Sequence, residues 1–220
     1  MKNIIFILIV FFLFSFSCQT NQPKEKSADI VGKKIEKLTL GGGCFWCLSP
    51  CFEMLKGVHK VTSGYSGGSS EYPTYQQVST GLTGHAEVVQ VEYDPEEISF
   101  SELLDVFWYL HDPTQLNKQG DDIGHQYRSV IFYRTEEQRI LALESLKKSQ
   151  STDLWKGKYV TEISSFSTFY PAEDYHQRYY HENSTQPYSK TVITPKIQKF
   201  RSRFNFKLKP EFQKKRLGDI

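Results

Sequence analysis

Three cysteines, Cys44, Cys47 and Cys51, fall within the stretch GGGCFWCLSPC, and the 220-residue chain has only one other, Cys18. A structural disulfide framework would spread an even number of cysteines across loops, so a cluster of three points to chemistry instead. Gly41 to Gly43 permit a tight turn, and a helix begins directly after it. Cys44 stands at that junction, where unpaired backbone N–H groups and the positive end of the helix dipole favour thiolate, the nucleophilic form of the side chain. Spacings of three and four bring Cys47 and Cys51 to the same helix face. Neighbouring Cα atoms at those spacings come roughly within the 4.4–6.8 Å that a disulfide needs. The expected chemistry is oxidation of a Cys44 thiolate followed by resolution within the cluster.

The elements that must hold this cluster follow from hydropathy periods. KIEKLTL, beginning at Lys34, alternates as a strand. Phe45, Leu48, Phe52 and Leu55 share one helix face, which Gly57 closes and in which Pro50 lies early enough to be tolerated. VHKVTSGYSGG and HAEVVQVEYDP read as strands joined by a long loop around residues 72–84, a length more typical of functional loops than of plain connections. Ser99 to His111 reads as a helix, RSVIFYR as a strand, and Thr135 to Gln150 as an amphipathic helix capped by Thr135. VTEISSF is a further candidate strand and PAEDYHQRYYHEN a short helix. Strands interleaved with helices, without a series of buried βαβ units, predict an α+β fold: a two-layer sandwich with a mixed β-sheet.

Composition narrows the partners. A formal charge of +2, from 27 basic and 25 acidic side chains, gives no reason to expect a nucleic acid or another polyanion. The aromatic fraction of 15%, with 13 tyrosines, suggests side chains set half in a pocket and half in water. Lys2 followed by an apolar run from Ile4 to Phe14 is too short for the roughly 30 Å of a bilayer core and reads as a signal peptide, residues 1–17. Ser17 and Cys18 then resemble the lipidation point of a bacterial lipoprotein, with plain secretion as the alternative; Ser15 and Phe16 depart from the usual residues there. The expected location is therefore the periplasm or a membrane surface, reached by export. Residues 18–33 are polar and Lys-rich, a flexible tether. Residues 34–190 are expected to form the catalytic domain. Residues 191–220, part of a stretch with ten Lys and Arg against two acids from Lys190 onward, read as a solvated basic tail.

Other chemistries compete for these residues. CxxC at a helix start also suits a thioredoxin-like oxidoreductase. A structural zinc site would need a second ligand pair, and neither His59 nor His85 supplies a recognisable one, so no metal is expected. GYSGG satisfies the G-x-S-x-G pattern of serine hydrolases, but the loop SSEYPTY follows it where a helix is required, which argues against Ser66 as nucleophile.

GGGCFWC, SGYSGG, PTY, GHAEVV, YDP, FWYLHDPTQLNKQGDDIGHQYRS and YPAEDYHQRYY, in this order from Lys37 to Tyr188, resemble the A-type peptide methionine sulfoxide reductases, GCFWC subgroup. The resemblance implies a ferredoxin-like core, reduction of the S epimer of methionine sulfoxide without a resident cofactor, and electrons from thioredoxin or a similar dithiol. It matches Cys44 to the nucleophile, Phe45 and Trp46 to the pocket for the substrate methyl, and Glu87 to the proton donor. Tyr75 and Tyr127 match the residues that hold the sulfoxide oxygen, and Asp122 an orienting residue. A carboxyl buried among aromatic rings has its pKa raised, which suits Glu87 to the donor role. Tyrosine O–H groups suit developing charge on oxygen. Cys47 is expected to resolve the Cys44 sulfenic acid. Two departures stand out: Ser189 occupies a position where related sequences often carry a recycling cysteine, and Ser49 one where glutamate is common. Cys51 is expected either to take over the disulfide as a 47–51 bond or to pack as a small core residue. The chain is expected to be a monomer whose substrate is oxidised methionine, free or in proteins.

Overall fold

Alternate residues of two neighbouring strands decide which side of the sheet becomes the core. In the computed structural model, which describes residues 34–213, β1 (Glu36–Gly41) pairs antiparallel with β3 (Ala86–Tyr93). Leu38 and Leu40 of β1, with Val89, Val91 and Tyr93 of β3, enter the main core, while Ala86 and Val88 turn to the opposite face and join Val130 and Phe132. Period-two alternation produces this two-sided burial. It also puts Glu87 on the same side as Val89, facing the main core rather than solvent.

The remaining elements complete one sheet and its helical cover. β2 (Val58–Ser66) pairs antiparallel with β3 and with β8 (Phe169–Pro171), and β6 (Val130–Tyr133) pairs antiparallel with β1 and parallel with β7 (Glu162–Ser165). The order is β7-β6-β1-β3-β2-β8, so the sheet is mixed, as expected. Against its main face pack α1 (Phe45–Glu53), α3 (Phe100–Leu110) and α4 (Glu136–Gln150), the last starting at the expected cap, Thr135. Ser99 and Glu102 form a reciprocal capping box on α3, and Thr135 accepts from the Gln138 N–H on α4. The expected two-layer α+β architecture is therefore present.

Three features depart from the sequence reading. The loop after β2 contains a short helix, α2 (Tyr75–Ser79), entered through its own capping box of Thr74 and Gln77. Between α3 and β6 lies a hairpin of β4 (Lys118–Gln119) and β5 (Asp122–Ile123), and short 3-10 turns occupy His125–Tyr127 and Asp174–His176 before α5 (Tyr179–Asn183). Most consequential is the C-terminus. The basic tail expected from 191 is instead a packed helix: a π-turn at Ser189–Ile193 leads into α6 (Thr194–Phe204). Ile193, Ile197, Phe200, Phe204 and Leu208 are buried in the main core. Lys and Arg occupy the other side of an amphipathic helix, so the charge count concealed the apolar stripe. The signal peptide, the tether with Cys18, and residues 214–220 lie outside the described residues.

Candidate active site

The end of β1 and the start of α1 bring the first cysteine against the third strand. Gly41 runs so close to β3 that a Cβ would lie 2.7 Å from the Glu87 carbonyl oxygen, and Gly43 adopts φ +90°, a left-handed conformation that side chains resist. The Gly43 N–H donates to the Tyr127 carbonyl at 3.2 Å, fixing the turn. Cys44 then serves as the N-cap residue of α1, and the Phe45 N–H donates to Glu87 Oε2 at 3.2 Å. Glu87 and Cys44 are both buried, with exposures of 2% and 7%, and the Glu87 carboxyl lies near enough to act on the charge of the Cys44 thiol.

Burial decides the protonation of Glu87. Ionising a carboxyl removed from water costs several kcal/mol, whereas one charge-assisted hydrogen bond returns about 1.5–3 kcal/mol. The Phe45 N–H therefore offsets only part of the cost, and the Glu87 pKa is pushed up to about 8. The carboxyl holds its proton at neutral pH, as a donor must.

The two adjacent thiols at the head of α1 share one negative charge between them. Burial pushes the Cys44 thiol well above its ordinary value, its hydrogen bond to Cys47 and the nearby Glu87 add to this, and the Trp46 N–H directed at its sulfur offsets only part. Cys47 is brought below its ordinary value, first by the hydrogen bond from Cys44 and then by the positive charge of Lys196 and the Tyr188 hydroxyl. Only one of two touching sulfurs can carry charge cheaply, and Cys47 has the better neighbours. Cys51 is fully buried, and burial drives its thiol far upward. All three are free thiols.

The other expected residues converge here. Tyr75 starts α2 and Tyr127 ends the 3-10 turn before β6; both are half-buried, and burial with the nearby Glu87 carboxyl holds both phenols above their ordinary range. Phe45 and Trp46 rings lie 6.3 Å apart, and Trp46 stacks on Tyr179 at 3.6 Å with 7° between the planes. Asp122, on β5, accepts from the Tyr188 hydroxyl at 2.9 Å. His85 is spent on the loop after β2, accepting from the Gly68 N–H at 3.0 Å. Ser66 is buried and donates to the Thr168 carbonyl at 2.7 Å, which leaves it no part in the site.

Four contributors were not singled out from sequence. Glu173 ties two tyrosines together: it accepts from the Tyr65 hydroxyl at 2.9 Å and from the Tyr75 N–H at 2.8 Å, fixing the start of α2. His176 is buried against Phe45, Trp46 and Tyr75, with ring centroids 5.0, 5.5 and 4.6 Å away. Tyr179 and Tyr188 frame Trp46, one face-on and the other edge-on at 6.1 Å. Glu173, His176 and Tyr179 lie in PAEDYHQRYY, whose density of aromatic and titratable residues was the available signal; a single Tyr188 carried none. Ser49 makes a local bond to Glu53 at 3.2 Å within α1.

Comparison with known proteins agrees with this geometry. Residues 36–208 match the family described as peptide methionine sulfoxide reductase. A peptide methionine sulfoxide reductase MsrA of Acinetobacter baumannii (strain AYE) is 50% identical over 175 residues, covering 80% of this chain and 99% of that protein. Another MsrA, from Polynucleobacter asymbioticus, is 46% identical over 178 residues, covering 81% and 94%. Among solved structures, reduced Mxr1 of Saccharomyces cerevisiae superposes with a TM-score of 0.64 at 33% identity, covering 69% of this chain and 87% of that one. Methionine sulfoxide reductase A of Corynebacterium diphtheriae gives 0.62 at 37% identity, covering 68% and 75%. A buried sulfur facing a protonated carboxyl and a family match across nearly the whole described fold lead to one conclusion: the chain belongs to the A-type peptide methionine sulfoxide reductases and reduces methionine sulfoxide to methionine.

Proposed function

We propose that Cys44 attacks the sulfur of an S-epimer methionine sulfoxide while Glu87 protonates its oxygen, and that Cys47 resolves the sulfenic acid left behind. The observation that carries this reading is the buried contact between Cys44 and a carboxyl that keeps its proton to about pH 8. The substrate methyl packs against Phe45 and Trp46, where sulfur and aromatic rings attract. Tyr75 and Tyr127 direct O–H groups at the oxygen as negative charge develops on it, and Asp122 helps orient the substrate. Cys44 is a neutral thiol before attack, so its proton must leave; the Cys47 thiolate to which it is hydrogen-bonded is the nearest acceptor. Attack joins Cys44 Sγ to the substrate sulfur and the protonated oxygen leaves as water; a water then adds to Cys44 Sγ, losing a proton and breaking the S–S bond, so that methionine departs and Cys44 becomes a sulfenic acid. Cys47 then forms a disulfide with Cys44, releasing water. Thioredoxin or a similar dithiol reduces that bond by exchange, and no resident cofactor is needed. Cys51 packs in the core and takes no part. The test is turnover of dabsyl-methionine S-sulfoxide with dithiothreitol. Cys44→Ser should abolish it, and retained turnover would remove Cys44 from the mechanism.

The chain acts outside the cytoplasm as a monomer, exported by residues 1–17 and anchored through lipid on Cys18, where it repairs free or protein-bound methionine. This rests on the apolar run ending at Phe14 and the small residue before Cys18. Radioactive fatty acid should label the wild-type protein and not Cys18→Ala; label that survives the substitution would sink lipidation.

A further inference from the structure

One hydroxyl joins the resolving sulfur to the edge of the site. Tyr188 lies 3.8 Å from Cys47 Sγ, a distance at which either atom can donate, and donates to Asp122 Oδ2 at 2.9 Å. Its position follows from the backbone: the π-turn Ser189–Ile193 begins directly after it, and Ser189 is fully buried, so the segment is fixed against the core. Such turns recur where a side chain must be aimed at a functional group. The groups run in sequence from the Cys44 thiol through Cys47 and Tyr188 to the half-buried Asp122. The charged or titratable neighbours are Cys44 at the N-cap of α1 and Cys51 within it, Glu87 on β3, Asp121 beside Asp122 on the hairpin, and Lys196 on α6.

We propose that Tyr188 is a positioning residue for the second step, holding the Cys47 sulfur and passing its proton to Asp122 as Cys47 attacks the Cys44 sulfenic acid. The inference rests on Cys47 being the resolving residue. After the first step Cys47 carries the proton taken from Cys44 and must lose it to become a nucleophile. Tyr188 accepts that proton while giving its own to Asp122. The new bond joins the two sulfurs, the S–O bond of the sulfenic acid breaks, and the departing hydroxide takes a proton from solvent and leaves as water. The sulfenic sulfur is reduced, the Cys47 thiol is oxidised, and Asp122 returns its proton to solvent.

The test is a single turnover of the full-length protein without external reductant, quenched over time at pH 6 to 9. Methionine release, dimedone-trapped sulfenic acid and the Cys44–Cys47 disulfide are measured for wild type, Tyr188→Phe and Cys47→Ser. Tyr188→Phe should form the disulfide about tenfold more slowly at pH 7, a larger loss than in methionine release, which the hydroxyl touches only through the charge on Cys47. That deficit should close toward pH 9, as hydroxide takes the proton directly. Wild-type disulfide formation at pH 7, a deficit that is flat with pH, or an equal loss of methionine release would each overturn the proposal. If Tyr188→Phe fails to fold, Asp122→Asn should show the same pH-dependent deficit in disulfide formation, and a pH-independent rate there would overturn it instead. A persistent sulfenic acid in Cys47→Ser is the control: a disulfide in that variant would show that the underlying assignment of Cys47 had failed, a result separate from any Tyr188 outcome.

Discussion

Glu87→Gln should slow methionine release by about 10²- to 10⁴-fold, the usual contribution of a positioned general acid, and should make the folded protein more stable in mild alkali. Both effects come from one buried proton. In the wild type the active form is the protonated carboxyl, so the rate should fall as pH rises through about 8, the value to which burial raises Glu87. The amide has no proton to lose, so the variant should show a low rate without that alkaline limb. Stability follows the same group. In the unfolded chain the carboxyl titrates near its ordinary 4.5, so between there and about 8 the folded state binds the extra proton. The stabilisation is complete below the lower value and is lost as pH rises through the upper one. Glutamine stays neutral throughout, and its side-chain oxygen can still accept from the Phe45 N–H. Thermal melts at pH 6 and pH 9 should therefore show the variant gaining on the wild type at pH 9. A variant with near-wild-type turnover, or one that keeps an alkaline limb near pH 8, would remove Glu87 from the donor role.

Periodicity and capping made most of the fold legible before any coordinates. The strand β3 could be read from HAEVVQVEYDP because it is rich in valine and alternates from Val89 to Tyr93, and the helices α3 and α4 because their apolar residues recur on one side and Thr135 marks the start of α4. Helix α2 carried the same kind of mark, Thr74 with Gln77, but at five residues it was hidden among Gly, Ser and Pro. Helix α6 was lost for a different reason: Ile197, Phe200 and Phe204 fall at spacings of three and four, yet the surrounding Lys and Arg dominated the composition. Residue type and spacing singled out the cysteine cluster, whereas Glu87, Tyr75 and Tyr127 were placed beside it by the family resemblance, since a lone carboxylate or tyrosine looks like any other. The protonated carboxyl of Glu87 was foretold, but the sharing of charge between Cys44 and Cys47 was not. A helix N-terminus favours thiolate at Cys44, but only the fold brings Glu87 and Cys47 against that sulfur and reverses the balance in favour of Cys47. Tyr188, 141 residues from Cys47 in sequence, could not have been found from spacing.

Cys47→Ser should release a single equivalent of methionine and then stop, with turnover supported by a thioredoxin-type dithiol falling at least about a hundredfold, because a serine hydroxyl is scarcely ionised near neutral pH and cannot take part in thiol exchange. The first equivalent should also appear more slowly, since the Cys44 proton loses the thiolate that accepts it and must pass to water. No neighbour is placed to compensate. Cys51 lies one turn further along α1 but is fully buried, and its thiol is held far from ionisation. Ser189, on the π-turn beside α1, offers only a buried hydroxyl without a partner. Cys51→Ala should accordingly keep its turnover, and peptide mapping after one reductant-free turnover of the wild type should find the Cys44–Cys47 bond without a Cys47–Cys51 bond. Sustained turnover by Cys47→Ser would show that another thiol completes the cycle, and a mapped Cys47–Cys51 bond would return Cys51 to it. Small dithiols discriminate further. If the Cys44 sulfenic acid is reachable through the channel that admits substrate, dithiothreitol at millimolar concentration should rescue Cys47→Ser more than a protein reductant does. The 7% exposure of Cys44 leaves room for a small reductant and little for a folded one.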